Sequence, residues 1–206
     1  MIPAVVLAAG RSSRMGRPKA LLPLASGETF VQRIVTTFLE ALVDDIVIVL
    51  GHEPQPIIRS LTATGVRARY VINRHYDRGQ LSSVLTGLNV VDRPGVRAAL
   101  VTLVDVPLMS VATVRTVIDR YRETHAPVVR PTQGVRHGHP LLIDRSLFAA
   151  LRAADPDAGI KPVIRLHASE LGDVPVSEEG AFVDIDTEDE YRALLRPFQG
   201  GGGSLT

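Results

Sequence analysis

Short runs of apolar and β-branched residues alternate along the chain with stretches in which apolar residues recur at helical spacing. Four runs predict strands that are apolar on both faces: residues 2–8, 45–50, 67–72 and 98–104. Apolar residues from Val31 to Leu42 recur at intervals of three and four, which predicts an amphipathic helix between the first two strands. Weaker patterns predict helices over residues 82–91 and 111–121, the second with Ser110 as its N-cap.

The second half of the chain has a less regular pattern. Two extended segments within residues 126–143 flank the polar stretch 133–139. Four shorter elements are predicted after them: helices over residues 145–153 and 159–167, and strands over residues 174–176 and 181–185. Thr187 followed by Glu190 forms a capping box, which predicts a last helix that ends near Leu195.

The repeated order strand–helix–strand predicts an α/β protein, because parallel strands joined by helices form a sheet that is covered on both faces. We expect a single-domain, mostly parallel, doubly wound sheet of the Rossmann-like type over residues 1–197. Residues 198–206 are rich in glycine and are expected to be a flexible tail.

Composition narrows the functional classes. The chain carries 23 lysines and arginines against 22 aspartates and glutamates, so nonspecific nucleic-acid binding is not expected. It has no cysteine, which excludes disulfides, thiolate metal sites and a cysteine nucleophile. No segment approaches the length of a membrane helix, about 18 apolar residues. The apolar N-terminus has no basic residue before it, so we expect a cytoplasmic protein rather than one with a signal peptide.

The segment that follows the first strand carries the strongest functional signal. It begins at Leu7 and runs Leu-Ala-Ala-Gly-Arg-Ser-Ser-Arg-Met-Gly-Arg-Pro-Lys to Lys19. Glycines let backbone N–H groups turn toward an anion, and arginine and lysine neutralise phosphate oxygens. The segment is neither a Walker loop nor a dinucleotide fingerprint, since both motifs are absent. Composition alone leaves a solvated basic loop as the alternative.

Two acidic segments also follow predicted strands. Asp105, in Leu-Val-Asp-Val-Pro, ends a strongly apolar strand, where a carboxylate either holds a cation or forms a turn before the proline. Asp184 and Asp186, in Asp-Ile-Asp-Thr, are two candidates for a second ligand of the same cation. Capping of the last helix is the alternative role for Asp186.

The pattern L-A-A-G-x-S-x-R-M-G-x-x-K resembles the signature loop of the MobA-like NTP transferases, which are nucleotidyltransferases with a glycosyltransferase-A-type fold. The resemblance covers roughly residues 2 to 195. It implies that the loop binds the triphosphate of a nucleotide through Leu7, Ala8, Ala9, Gly10, Ser12, Arg14, Gly16 and Lys19. The family's D-x-P and D-I-D-T motifs match at Asp105 and Asp186, which implies that these carboxylates bind Mg²⁺. The implied catalytic residues are Arg14, Lys19 and Asp105.

Residues 73–88 resemble the subgroup of this family that includes molybdenum cofactor cytidylyltransferases, through N-x-x-aromatic-x-x-G-Q-L-S-S-x-x-x-G-L. The match implies that this segment contacts the base and ribose through Asn73, Gly79, Ser82 and Ser83. Helix capping explains the two serines equally well.

The acceptor side is implied by a second match to the same subgroup, the G-H-P motif at Gly138, His139 and Pro140. The segment 157–159 resembles the subgroup's G-D-x-G turn, but Pro156 replaces the first glycine, which leaves the role of this turn open. The remaining histidines belong to no recognisable constellation and are interpreted as surface residues: His52, His75, His125 and His167.

The resemblance implies a Mg²⁺-dependent nucleotidyltransferase in which a phosphate of the acceptor attacks the α-phosphorus of a nucleoside triphosphate and pyrophosphate leaves. Ala9 favours CTP, because guanylyltransferases of this fold tend to have glycine there. The implied acceptor is a molybdopterin-type cofactor, with a molybdoenzyme or chaperone as a partner protein. Three alternatives stay open: guanylyl transfer to the same cofactor, nucleotidyl transfer to a sugar phosphate or other phosphorylated metabolite, and a noncatalytic nucleotide-binding or molybdoenzyme-docking module.

Overall fold

Eight strands in the described residues, 1–196, form one sheet in this computed structural model: β1 (Ala4–Ala8), β2 (Ile46–Leu50), β3 (Arg69–Ile72), β4 (Ala98–Leu103), β5 (Val128–Gln133), β6 (Arg136–His137), β7 (Leu141–Asp144) and β8 (Asp173–Pro175). The sheet order is β3-β2-β1-β4-β7-β5-β6, with β8 beside β5. The first four strands are parallel, and β7 runs antiparallel to both of its neighbours, β4 and β5. The predicted tail, residues 198–206, lies outside the described residues.

Seven α-helices of the same residues pack on the two faces of the sheet: α1 (Phe30–Glu40), α2 (Pro54–Ala63), α3 (Gln80–Val91), α4 (Val111–Thr124), α5 (Phe148–Arg152), α6 (Lys161–His167) and α7 (Glu188–Leu195). The predicted caps are present, since Ser110 accepts a hydrogen bond from Thr113 N, and Thr187 and Glu190 form a capping box. None of these helices is long and apolar enough to cross a membrane. The predicted α/β class with a mostly parallel sheet is confirmed.

The order of the strands along the sheet changes direction at β1. β2 pairs with one side of β1 and β4 with the other, both in parallel, so that Leu7 lies between Val49 and Leu103. In open α/β sheets, ligands bind in the crevice outside the carboxyl ends of two such strands. The loop after β1 and the residues after β4 therefore meet at this crevice.

Successive residues of β1 point into two separate hydrophobic cores, one on each face of the sheet. Val6 packs with the large buried side chains of α1, whereas Val5 faces α3. Helix α3 approaches β1 closely at Gly87, where a Cβ atom would lie 2.3 Å from Val5 Cγ1. The absence of a side chain at this position lets α3 lie directly on the sheet, with its N-terminus at the crevice.

Two elements in the first half differ from the sequence predictions. A helix that was not predicted, α2, lies between β2 and β3 and begins with Pro54. Proline suits this position because it has no backbone N–H, and the N–H groups of a first helical turn have no partner within the helix. Strand β3 was predicted to be apolar on both faces and covered, but three of its four residues are exposed because β3 is the edge strand of the sheet.

The predicted strand over residues 181–185 is wrong. His139 N donates to Ala181 O, whereas Ile185 N donates to Asp105 O. The segment thus bonds to two different neighbours in turn, and no continuous ladder forms. Its second bond carries the chain toward the carboxyl end of β4.

A partly exposed ionic contact links the edge of the sheet to the end of α3. Asp45, just before β2, accepts hydrogen bonds from Arg69 Nη2 of β3 at 2.7 Å and from Arg93 Nη2 at 2.6 Å. Burial opposes the ionisation of Asp45, but the hydrogen bonds and charges of the two arginines outweigh it and hold the pKa of this carboxyl below its ordinary value.

We expect Asp45→Asn to lower the free energy of unfolding at pH 7 by roughly 1–2 kcal/mol, because two charge-assisted hydrogen bonds are lost at a partly solvated site. A lowered pKa in the folded protein means that the contribution of Asp45 is present above the ordinary pKa of 3.8 and is lost as the pH falls through the folded value. The difference between the two proteins in urea melts should therefore shrink toward zero in acid. Asp44→Asn, at the exposed neighbouring residue, is the control, and a difference that persists in acid would contradict the assignment.

Candidate active site

The loop after β1 is folded back by its own hydrogen bonds. Ser12, at φ +50°, accepts a hydrogen bond from Met15 N at 2.9 Å through its carbonyl oxygen. Its hydroxyl oxygen accepts from Lys19 N at 3.1 Å. Gly16 has φ +62°, a left-handed conformation that glycine adopts without strain. Met15 is buried below the loop and anchors it, which leaves the arginines at the surface.

Lys19 lies between the two predicted carboxylates. Its Nζ donates to Asp105 Oδ2 at 3.0 Å and to Asp186 Oδ1 at 2.5 Å, and its side chain is only 10% exposed. Arg14 adds a longer contact from Nη2 to Asp186 Oδ2, at 3.3 Å. Three segments that are far apart in sequence, the loop, the end of β4 and the start of α7, therefore meet at one ammonium group.

The ionic states of these groups follow from their contacts. Burial disfavours the charge on Lys19, but the hydrogen bonds and charges of Asp186 and Asp105 outweigh burial and raise the pKa of Lys19. The hydrogen bond from Lys19 lowers the pKa of Asp186. Burial and the charge of Asp105 raise the pKa of Asp184, the third carboxyl of the cluster. Lys19 and Asp186 are thus held as an ion pair at neutral pH.

The backbone positions Asp186 from both sides. Ile185 N donates to Asp105 O at 2.8 Å, which places the following residue beside the end of β4. Asp186 N in turn donates to Glu190 Oε2 at 2.8 Å, within the capping box of α7. The alternative role considered for Asp186, capping of α7, falls to Thr187, so the carboxylate of Asp186 is left to face Lys19.

One oxygen of Asp105 has no partner. Among the described residues, 1–196, Asp105 Oδ1 is the single buried side-chain polar atom without a hydrogen bond. A buried carboxylate oxygen without a partner is costly unless a donor or a cation meets it. The donor set, two carboxylates beside the cationic loop, suits Mg²⁺, which takes one or two carboxylates and completes its shell with phosphate oxygens and water. Among residues 1–196, no group of three or more histidine, cysteine, aspartate or glutamate side chains is placed so that it could hold a metal ion.

A cavity of about 600 Å³ extends from this cluster along the carboxyl ends of β1, β2 and β3. It is lined by twelve of the residues predicted from the sequence: Leu7, Ala8, Ala9, Gly10, Ser12, Arg14, Gly16, Lys19, Gly79, Ser83, Asp105 and Asp186. The cationic loop and the carboxylates form one end of the cavity. The structure thus brings together the loop and both acidic motifs.

Two residues that were predicted to contact the nucleotide do not line the cavity, Asn73 and Ser82. Asn73 is 3% exposed, and its Nδ2 donates to Ser82 Oγ at 2.9 Å and to Ser83 Oγ at 3.0 Å. Its Oδ1 accepts from His75 N at 2.9 Å. Ser82 Oγ donates to backbone carbonyl oxygens, including that of His75. The side-chain amide of Asn73 therefore connects the end of β3 to the start of α3. One of its partners, Ser83, lines the cavity.

The predicted acceptor segment lies beside the cavity rather than in its lining. Gly138 packs so closely that a Cβ atom would lie 2.5 Å from Ala181 O. Burial lowers the pKa of His139, whose nearby charges are Asp184 and Asp105. Gly138 to Pro140 therefore border the carboxylate cluster on the side of β7, away from the loop. The segment 157–159 does not line the cavity.

The sequence reasoning missed the far end of the cavity. His52, Glu53 and Ile57 follow β2, and Tyr76 follows β3. His52, interpreted from the sequence as a surface residue, is part-exposed, but it also lines the cavity, and its Nδ1 lies 3.2 Å from Tyr76 Oη. The signal that was available is position: these residues follow the carboxyl ends of parallel strands, where ligands bind.

Comparison with known proteins connects this geometry to a family. The model of the family described as "MobA-like NTP transferase domain" matches residues 4–173. Nicotine blue oxidoreductase from Paenarthrobacter nicotinovorans is 32% identical over 93% of this chain and 95% of that protein. A probable molybdenum cofactor guanylyltransferase from Mycolicibacterium paratuberculosis is 28% identical over 93% of this chain and 94% of that protein.

A solved structure agrees with these matches. A crystal structure of a Mycobacterium tuberculosis protein superposes with a TM-score of 0.76 and 28% identity, over 95% of this chain and 98% of that protein. A second crystal structure of the same protein is a complex with manganese, at a TM-score of 0.73 and 27% identity. The likeness extends over nearly the whole chain in each case.

We expect Asn73→Ala to lower the free energy of unfolding by about 1–3 kcal/mol, because the hydroxyls of Ser82 and Ser83 and the N–H of His75 lose a buried partner. Urea denaturation measures the change. Asn89→Ala, at an exposed residue of α3, is the matched control and should stay within about 0.5 kcal/mol of the unmodified protein. Equal losses in both variants would contradict a structural role for the Asn73 amide.

Proposed function

Because this chain belongs to the family of MobA-like NTP transferase domains, we propose that it transfers a nucleoside monophosphate from a nucleoside triphosphate to a phosphorylated acceptor of the molybdopterin type. An oxygen of the acceptor phosphate forms a bond to the α-phosphorus. The bond from that phosphorus to the bridging oxygen breaks, and pyrophosphate leaves. We further propose that residues 1–197 act as one catalytic domain.

The observation that supports this proposal best is the ammonium of Lys19 between Asp105 and Asp186, at the crevice beside the loop of β1. This arrangement gathers positive charge and carboxylates at one place. A phosphate oxygen of the acceptor is already anionic at neutral pH, so the reaction needs no serine–histidine pair. Catalysis rests on positioning and on charge neutralisation.

The chain's own residues divide these tasks. Residues of the loop from Gly10 to Gly16 line the cavity, where backbone N–H groups would suit phosphate oxygens, while Arg14 supplies an exposed guanidinium. Lys19 stays protonated because its pKa is raised, so it neutralises negative charge at every step. Asp105 and Asp186 are the residues that would hold a divalent cation, and the partnerless Asp105 Oδ1 is the atom that fits it. When bound, Mg²⁺ would neutralise charge on the phosphate oxygens.

For the nucleotide we propose GTP, because curated relatives at 28–29% identity are named molybdenum cofactor guanylyltransferase. CTP is the second candidate, and the observation that favours it is Ala9 in place of the glycine found in guanylyltransferases. Thermal-shift titrations with GTP, CTP, ATP and UTP in the presence of Mg²⁺ separate the candidates, because a ligand that binds the folded protein stabilises it in proportion to its affinity. A shift with CTP but not GTP would reverse the order.

A second candidate function comes from the relative named nicotine blue oxidoreductase, which is 32% identical to this chain. A nucleotide cofactor carries phosphates as NTPs do, so the cationic loop is compatible with either. Two assays distinguish the candidates: pyrophosphate release with molybdopterin and an NTP, and reduction of nicotine blue with added NADH or NADPH. Reduction of nicotine blue without any pyrophosphate release would overturn the proposed transferase function.

We expect Asp105→Asn to reduce pyrophosphate release by about 10²–10³-fold, because it removes one preorganised charge from the site. The assay uses purified protein with Mg²⁺, molybdopterin and GTP or CTP. Asp119→Asn, at an exposed carboxylate of α4, is the matched control and should keep the activity of the unmodified protein. Near-normal turnover of Asp105→Asn at saturating Mg²⁺ would contradict the role assigned to this carboxylate.

A further inference from the structure

We propose that Tyr191 of α7 and Arg17 of the loop after β1 are positioning residues, which together hold that loop in the conformation that receives a triphosphate. The inference rests on the proposed function in one respect, that an NTP binds with its phosphates at this loop. Arg17 lines the cavity as part of the cationic loop, but its guanidinium contacts α7. The signature motif implied no role for either residue.

The guanidinium of Arg17 makes two contacts with α7. Its central carbon lies over the Tyr191 ring, 5.2 Å from the ring centroid, and its Nη2 lies 3.9 Å from Glu188 Oε2. The face of a tyrosine ring attracts a guanidinium, and the nearby carboxylate adds an opposite charge. The Arg17 side chain is 51% exposed. These two contacts therefore link a solvent-facing part of the loop to the last helix.

Tyr191 also holds the chain on the other side of Lys19. Its hydroxyl donates to Pro23 O at 2.7 Å, and its ring packs edge-on against Phe30, with the ring centroids 5.9 Å apart. Tyr191 is 3% exposed and Phe30 is fully buried, so the position of the tyrosine ring is fixed by the core. One buried side chain therefore contacts the chain two residues before Lys19 and four residues after it.

Helix α7 thereby constrains both partners of the ion pair. The capping box in its first turn orients Asp186, and Tyr191, in the next turn, holds the segments on both sides of Lys19. Arg14 adds a third link, because its Nη2 donates to Asp186 Oδ2 at 3.3 Å. A loop that is ordered before its ligand arrives loses less conformational entropy on binding, so these contacts favour a high affinity for the triphosphate.

Direct binding of a phosphate is the competing role for Arg17, because the residue lines the cavity and is positively charged. The two roles differ in their dependence on Tyr191. A phosphate ligand contributes to affinity whether or not the tyrosine ring is present, whereas a positioning residue acts only through that ring. The effect of removing Arg17 must therefore be compared in the presence and in the absence of the ring.

A double-mutant cycle makes this comparison, by isothermal titration of the full chain with inorganic tripolyphosphate in the presence of Mg²⁺. We expect Arg17→Ala to weaken binding by about two- to tenfold, because a smaller fraction of the protein then has the competent loop conformation. Tyr191→Leu should weaken binding at least as much, and adding Arg17→Ala to it should change the affinity by less than about twofold. In Tyr191→Phe, which keeps the ring, Arg17→Ala should retain its full effect.

Two further variants sharpen the comparison. Arg122→Ala removes an exposed arginine of α4 outside the cavity, and this matched control should bind tripolyphosphate like the unmodified protein. Arg17→Met keeps an unbranched side chain over the ring without the charge, so it should bind more tightly than Arg17→Ala. A phosphate ligand would lose as much affinity in the methionine variant as in the alanine variant. This pair of surface variants tests the proposal even if Tyr191→Leu does not fold.

Kinetics distinguish positioning from a loss of folded protein. With NTP and acceptor, we expect Arg17→Ala to raise the KM for the NTP by the factor measured for tripolyphosphate and to leave kcat within about twofold. A merely structural role would lower kcat through a smaller amount of folded enzyme, and the KM would not change.

Four results would overturn the positioning role: no tripolyphosphate binding by the unmodified protein, no loss in Arg17→Ala, the same loss on removal of Arg17 with and without the Tyr191 ring, or an equal loss in Arg122→Ala. Pyrophosphate release by the unmodified protein tests the proposed function separately. If release is absent while the effect of Arg17 depends on the ring, the transferase function fails and the positioning role stands. If release is normal and Arg17→Ala binds normally, the positioning role fails and the function stands.

Discussion

The buried ion pair between Lys19 and the carboxylates of Asp105 and Asp186 is the contact on which the site depends. A charged group that is withdrawn from water must be compensated by an opposite charge, or its burial is strongly unfavourable. Lys19 meets this condition only if the loop returns to the sheet at the point where β4 and the segment before α7 both end. The ion pair therefore constrains three distant segments at once, and the course of the loop after β1 follows from it.

The contacts around the ion pair hold these three segments in place. The divergence of chain order at β1 places the ends of β1 and β4 next to each other, and the bond from Ile185 N to Asp105 O draws in the last segment. The capping box of α7 then orients Asp186. On the other side of the cavity, Gly51 and the amide of Asn73 hold the ends of β2 and β3 against α3. The cavity thus has a charged end and an aromatic end, and each end is held by its own local contacts.

The sequence motifs differ in how well they indicated which side chains lie in the cavity. The loop of residues 7–19 and both acidic motifs line the cavity, since each directly follows a strand or precedes a capped helix and has little freedom of placement. Asn73 and Ser82 belong to a matching motif, yet their side chains bond to each other and to the backbone. A polar residue in a motif can serve a ligand or the protein's own turns, and a linear pattern does not contain the direction of the side chain. His52 is the opposite case, because it lines the cavity although a single histidine forms no recognisable sequence motif.

The sequence by itself determined the α/β class, the order of most elements, the caps of α4 and α7 and the presence of a cationic loop after the first strand. These features depend on periodicity and on neighbours a few residues away, which the chain displays directly. The tertiary structure alone decided that Lys19 pairs with both carboxylates, that Asp105 Oδ1 is left without a partner, and that His52 meets Tyr76 beside Ala9. The contacts of Lys19 and of His52 join residues that follow different strands or precede α7, and only the pairing and packing of those elements bring their side chains within bonding distance.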